Sequence, residues 1–387
     1  MFGRAEVCPR VLRRRFLRRS APQRTCSTRS HPPPAQRRAS LSGYRRTVPA
    51  IAGTCGLPPA VDYPGLARSL VATVPPGAVD VPHVRLDRAG GDCVPPRVHD
   101  LRSGSGCWPG ATVRFVSEFG SDLGYLLDVP YARPGGVELC LDVVSSLPSA
   151  AVPVVVRVDG CPGWGPGDRR AAMAPFVNPA MARAGFVAVG ISVRESGQAV
   201  FPAQLDDVQA AVRWLRRNPL GLPIDPGRIG IWGQSAGGHL AAMAGLSGSA
   251  DAGVQAVVTI GGPSDLTRQG GEMRIDRPSP VTALVGGDTS RLRAASPVAH
   301  VRAGAPPYLI IHGTSDETVP YEQAELLHHA LRAVGTDSRL LPIAGGHHNL
   351  LPDPDAPYDG QVWYDVADEV ARFFKHQLGV ESGTGDS

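Results

Sequence analysis

The sequence predicts an α/β protein with a mostly parallel central sheet flanked by helices. Three observations carry this. From residue 129 to 378, short β-branched runs alternate with longer amphipathic stretches, the pattern of strands joined by crossover helices. Residues 152–158 read VPVVVRV, apolar at both parities apart from Pro153 and Arg157, as in a strand buried on both faces. Residues 228–240 read RIGIWGQSAGGHL, an apolar run that stops at a glycine-flanked serine and passes into an Ala/Leu/Met-rich stretch. That succession predicts strand, sharp turn and helix.

Taken in order, residues 137–144 alternate and predict an early antiparallel strand, followed by the buried strand 152–158. A helix is expected over 171–184 and a strand over 186–192. Residues 202–217 carry Leu205, Val208, Val212 and Leu215 at steps of three, four and three, with Ala211 beside them, which is an amphipathic helix. Strand 228–232 precedes the turn, helix 236–246 follows it, and 255–260 is the next strand. Residues 261–302 have weak periodicity and many Gly, Pro and Ser, so they read as an excursion able to roof a pocket. Strand 308–312, helix 321–334, strand 339–343 and helix 362–378 complete the body.

The domain reading is a disordered Arg/Pro/Ser-rich leader over 1–58 and a Pro/Gly-rich extension over 59–128 that packs on the core. The body spans 129–378, and 379–387 is a disordered tail. Within the extension a short helix is expected over 63–74 and a strand over 112–116. The net charge of +4 hides an asymmetry: residues 1–50 hold 13 Arg against Glu6 alone, so the other 337 residues sum to −8. An acidic body excludes nucleic acid as a partner of residues 129–378, and no apolar run is long enough to span a membrane. Arg13-Arg14-Arg15-Phe16-Leu17-Arg18 is similar to a twin-arginine export motif, and the leader's composition also resembles an organelle transit peptide. No apolar region succeeds it, so a cytoplasmic chain is expected. The seven cysteines (Cys8, Cys26, Cys55, Cys93, Cys107, Cys140, Cys161) form no C-x-x-C, which implies neither a metal site nor a disulfide framework. A Cys93–Cys107 bridge requires export.

The pentapeptide Gly233-Gln234-Ser235-Ala236-Gly237 matches G-x-S-x-G, a pattern that arises about 0.4 times by chance in so glycine-rich a chain. Its weight comes from residues further along the chain. A serine hydroxyl needs a base to take its proton, and the base needs an acid to hold its tautomer. Asp316 comes after strand 308–312, with Glu317 as its competitor, and His347 comes after strand 339–343, with His348 beside it. Serine, acid and histidine therefore occur in that order at strand C-terminal ends, where open α/β sheets place their sites. His239, one turn past the serine, reads as a packed helix residue, and His328-His329 as helix surface.

Together these residues resemble the α/β-hydrolase superfamily, and within it carboxylesterases and lipases of the BD-FAE-like and acetyl-xylan-esterase-like type. The resemblance runs over about 128–378. It rests on Asp128-Val129-Pro130-Tyr131-Ala132 with Leu141-Asp142-Val143, the helix from Phe201 to Arg216, and Ile224-Asp225-Pro226. It also rests on the serine turn through Gly238-His239-Leu240, on Ser296-Pro297-Val298, on Ala305 through Gly313, and on Asp316-Glu317-Thr318-Val319-Pro320. It implies an α/β-hydrolase fold and a serine esterase. Ser235 is then the nucleophile, His347 the base (the glycines before it favour it over His348) and Asp316 the acid, with no metal or organic cofactor and a small ester as substrate. The oxyanion hole is expected from Ala236 with Cys161, Gly163 and Trp164. Trp164 and Phe201 either line the acyl pocket or pack in the core. Two departures stand out. Asp159-Gly160-Cys161-Pro162-Gly163-Trp164 replaces the family's H-G-G-G-W, and Val193-Arg194-Glu195-Ser196 replaces Tyr-Arg-Leu-Ser. Pro162 has no N–H to donate. The alternatives are an amidase, arylformamidase-like or exopeptidase-like hydrolase on the same fold, or a non-catalytic hydrolase-fold binding protein.

Overall fold

The computed structural model describes residues 114–115, 123–146, 148–158, 164–165, 174–247, 249–268, 270–271, 273–356 and 361–380. The expected leader, the helix at 63–74 and the Cys93–Cys107 pair lie outside these residues. The strands are β1 (Arg114–Phe115), β2 (Gly124–Ala132), β3 (Leu139–Ser145), β4 (Val152–Val158), β5 (Val187–Ile191), β6 (Ile224–Gln234), β7 (Ala256–Ile260), β8 (Tyr308–Gly313) and β9 (Ser338–Ile343). The helices are α1 (Ala174–Arg183), α2 (Ala203–Arg217), α3 (Ala236–Ser247), the short α4 (Pro280–Leu284), α5 (Glu322–Ala333) and α6 (Gln361–Leu378). The sheet order is β1-β2-β3-β5-β4-β6-β7-β8-β9. Strands from β5 to β9 pair in parallel, and β1–β2, β2–β3 and β3–β5 pair antiparallel.

One expectation about the N-terminal edge changes. β2 runs through the expected boundary at 128/129, and β1 pairs with it, so the sheet begins before residue 129. The strand was hidden because Pro130 and a register shift between Leu126 and Val129 break its alternation. The shift is built around Asp128, whose φ is +58°. Its N–H donates to the buried Asp142 carboxylate across the ladder at 2.7 Å. Among the described residues β1 pairs with Leu126 and Leu127 of β2.

The period-two geometry of the strands sorts the core onto two faces. Val154, Val156 and Val158 of β4 and Ile229 and Ile231 of β6 face one side, with Leu205, Val208 and Val212 of α2 and Leu240 of α3. Val155 and Trp232 face the other, with Met181 of α1, Phe186, and Val366, Val370 and Phe374 of α6. The charge within VPVVVRV has a place in this scheme. Arg157 is buried and pairs in register with Trp232, and its guanidinium lies 5.6 Å from the indole centroid, a cation–π contact.

Residues 261–302, the expected excursion, are largely irregular. They run through α4, whose N-terminus carries a reciprocal Ser279–Thr282 capping box, and through two short 3-10 turns. Leu266, Met273, Leu284, Leu292 and Ala295 join the α2–α3 face of the core. Among the described residues no helix is long and apolar enough to cross a membrane.

On the other face α6 sits so close that a side chain at Gly230 would meet the Phe374 ring. Phe374 is fully buried. Its replacement by alanine is expected to cost about 3–5 kcal/mol, read as a lower urea midpoint with an unchanged m-value.

Candidate active site

β6 ends at Gln234 and α3 begins at Ala236, so Ser235 occupies the whole turn between them. Its φ of +53° is a left-handed conformation that side chains rarely adopt. The Ser235 N–H donates to Ile260 O of the neighbouring strand (2.8 Å), and its carbonyl accepts from His239 N (3.0 Å). The glycines on either side are required by contact. A Cβ at Gly233 would overlap the Gly237 backbone, and one at Gly238 would lie 3.2 Å from Gly262 Cα.

Asp316 lies three residues beyond β8 and is buried. Its Oδ1 accepts the Thr318 and Val319 N–H groups, both at 2.9 Å. Its Oδ2 lies 2.8 Å from His348 Nδ1 and 3.2 Å from His312 Nε2. Burial raises the proton affinity of this carboxyl, but hydrogen bonds from His312 and His348 outweigh it and hold the group well below the usual carboxylate range. Glu317, the expected competitor, is exposed.

The histidine in contact with Asp316 is His348, which corrects the expectation of His347. The backbone decides between the neighbours. His347 N donates to Leu351 O (2.9 Å) and His347 O accepts from Leu350 N (2.9 Å), closing a turn on itself. Gln234, the residue before the serine, donates its side-chain amide to His348 O (2.9 Å). Ser315 N donates to Gly346 O (2.9 Å) and Thr314 N to Ile343 O (3.0 Å), zipping the acid loop to the histidine loop. Asn349 completes the anchorage. Its side chain takes the Leu351 N–H and donates to Asp353 O and Ala356 O, and its carbonyl accepts from the Trp363 indole of α6. The His347 ring is left with a buried Nδ1 that has no partner.

Gly261 shows how the parts converge. A Cβ placed there would lie 3.4 Å from Asp316 Oδ2 and 3.5 Å from His348 Nδ1. Gly261 directly succeeds Ile260, the residue that receives the Ser235 N–H. Serine, acid and histidine thus gather at the C-terminal ends of β6 to β9.

A family model described as BD-FAE matches residues 141–331. Esterase LipQ of Mycobacterium tuberculosis is 33% identical over 274 residues, covering 66% of this chain and 64% of LipQ. Esterase LipC of the same organism is 32% identical, covering 53% of this chain and 55% of LipC. The chain therefore spans less than two thirds of these relatives' length. Among solved structures, esterase Est2 of Thermogutta terrifontis superposes with a TM-score of 0.54 at 26% identity, covering 72% of this chain and 96% of Est2. A carbohydrate esterase from gut microbiota gives 0.55 at 26%, covering 66% and 96%. The chain has the α/β-hydrolase fold of these esterases.

Of the loop that departs from the superfamily pattern, only Trp164 is described; Cys161 and Gly163 lie outside the described residues. Trp164 has a φ of +57° and its carbonyl accepts from Ser196 N (2.7 Å). Its indole N–H donates to His239 Nδ1 (3.1 Å), and His239 Nε2 donates to Ala295 O (2.7 Å). The Phe201 ring packs on the same imidazole, 6.2 Å between centroids. Trp164 and Phe201 are 3% and 6% exposed and pack in the core. The second departure is also framework: Arg194 grips the buried Asp207 with both Nε and a terminal nitrogen. His328 bonds Ser338 Oγ (3.0 Å), and His329 is exposed.

His239 is fully buried, and burial pushes its pKa down to about 4. The unfolded chain takes up that proton near the ordinary value of 6.5. Stability is therefore complete above that value and falls as pH drops from 6.5 to about 4, by up to about 3 kcal/mol. Urea titrations across this window are expected to show a falling midpoint, and His239→Gln to flatten the slope.

Proposed function

We propose that the protein is a serine hydrolase that cleaves small carboxylic esters through an acyl-enzyme, with Ser235, His348 and Asp316 as its triad. The observation that carries this reading is the 2.8 Å bond between His348 Nδ1 and the buried Asp316 carboxylate, beside the strained turn that bears Ser235. With Nδ1–H donated to Asp316, the His348 lone pair is on Nε2, where it takes the Ser235 proton as Oγ attacks the ester carbonyl. The imidazolium that forms is stabilised by the ionised Asp316 and gives its proton to the leaving alkoxide. Water then adds to the acyl-enzyme by the same route, releasing the carboxylic acid and restoring Ser235. The developing oxyanion is met by the Ala236 N–H, in the first turn of α3 where backbone donors have no intrahelical acceptor, and by the backbone at Trp164. Preorganised donors of this kind contribute about 3–4 kcal/mol each.

The relatives support ester over amide chemistry, since LipQ and LipC are named esterases. They also support a short acyl group, because Est2 has been solved with butyrate and with propionate bound. Est2 phosphorylated by paraoxon supports testing this chain with phosphoryl probes.

On p-nitrophenyl butyrate, Ser235→Ala and His348→Ala are each expected to lose at least about 1,000-fold in kcat/KM. His347→Ala is expected to stay within a few-fold of the parent, and a fluorophosphonate to label Ser235. Retained turnover in Ser235→Ala, or equal losses at His347 and His348, overturns the assignment. N-formyl aromatic amides and aminoacyl amides are expected to be poorer substrates; the reverse order makes the protein an amidase.

A further inference from the structure

Asp316 has a second imidazole. His312, the penultimate residue of β8, is fully buried. Its Nε2 lies 3.2 Å from Asp316 Oδ2 and 2.8 Å from Val319 O. Its Nδ1 is buried with no hydrogen-bond partner, and Tyr321 meets the ring edge-on at 5.8 Å. These facts determine the tautomer. A proton on Nδ1 would bury an unpaired N–H and turn the Nε2 lone pair toward two oxygens, whereas a proton on Nε2 is donated to Val319 O, lies against the carboxylate and leaves only a lone pair unpaired.

We propose that His312 is a positioning residue for Asp316, its Nε2–H, donated to Val319 O, lying against the carboxylate and setting how much negative charge Oδ2 presents to His348. The inference rests on the triad proposed above. The two carboxylate oxygens are held in different ways. Oδ1 takes two backbone N–H groups, which no side-chain change removes. Oδ2 is shared by two imidazoles, and only one of them is a base within reach of substrate. The His312 N–H drains charge from Oδ2 and restrains the carboxylate plane. Without its N–H, Oδ2 pulls harder on the His348 Nδ1–H, the imidazolium at His348 is stabilised, and the base is protonated at a higher pH. The titratable groups facing the pair are His348, across the carboxylate, and Tyr321, on the His312 ring.

The experiment compares His312→Asn, His312→Gln and His312→Phe in the full chain. The glutamine amide reaches the position of Nε2; the asparagine amide stops short of it, and phenylalanine has no donor. In the Asn and Phe variants the acidic limb of kcat/KM on p-nitrophenyl butyrate is expected to rise by about 0.5–1 pH unit. Their kcat is expected to fall about tenfold, with KM little changed. His312→Gln restores both. In a Ser235→Ala background, where turnover plays no part, the low-field proton resonance of His348 Nδ1–H is expected to move in the Asn variant and not in Gln. A limb and a resonance that coincide in Asn and Gln overturn the proposal, and this comparison decides even if the Phe variant does not fold. Ser235→Ala inactive with His312→Asn unchanged defeats this inference alone; Ser235→Ala fully active defeats the triad and this inference with it.

Discussion

The close approach of helix α3 to the ends of β6 and β7 is the constraint on which the rest of the site depends. The backbone of Gly237 and Gly238 runs against Gly233 and Gly262 at distances that leave no room for a Cβ. That contact forces the chain to turn within one residue, and the residue that turns is Ser235. Its left-handed φ costs on the order of 1 kcal/mol or more. The cost is borne because the Ser235 peptide is tied to β7 and because every residue of α3 from Ala236 to Leu246 is buried. A loose helix would let the turn relax and the hydroxyl swing away.

The acid obeys a different constraint. A carboxylate out of water must be met by donors, and Asp316 collects two from backbone and one from His348, with the His312 imidazole 3.2 Å away. This makes the acid loop a rigid hub. The loops after β8 and β9 are stitched to each other by Thr314, Ser315 and Gly346. The Gln234 amide then binds that pair to the end of β6, next to Ser235. The variable position of G-x-S-x-G thus aligns the histidine loop. On the other side of α3, His239 ties Trp164 to Ala295 while remaining neutral. The two histidine arrangements differ in kind: one holds a charge in place, the other fills a buried space with a matched donor and acceptor.

Much of this was legible in the sequence. Strands β4, β7 and β8 and helices α2, α3 and α5 fall where their periodicities put them, because each has one uninterrupted environment along its length. β2 was obscured because Asp128 and Pro130 break its alternation, and the break has meaning only across the ladder, at Asp142. His312 carried no signal of its own, since a histidine ending a strand is indistinguishable in sequence from an ordinary core residue.

By itself, the sequence determined the fold class, the serine turn, and the order of serine, acid and histidine, because these arise from local patterning and from residue types with few other uses in that context. Only the tertiary structure decided which histidine faces the acid. His347 and His348 are neighbours of identical chemistry, and the glycines preceding them favoured the one that does not touch Asp316. The choice was made by contacts from elsewhere in the chain: Gln234 on the His348 carbonyl, Leu351 on the His347 amide, and Trp363 of α6 beneath Asn349. These partners lie up to 114 residues away. A preference set by such distant backbone anchors cannot be read from the local sequence of the loop.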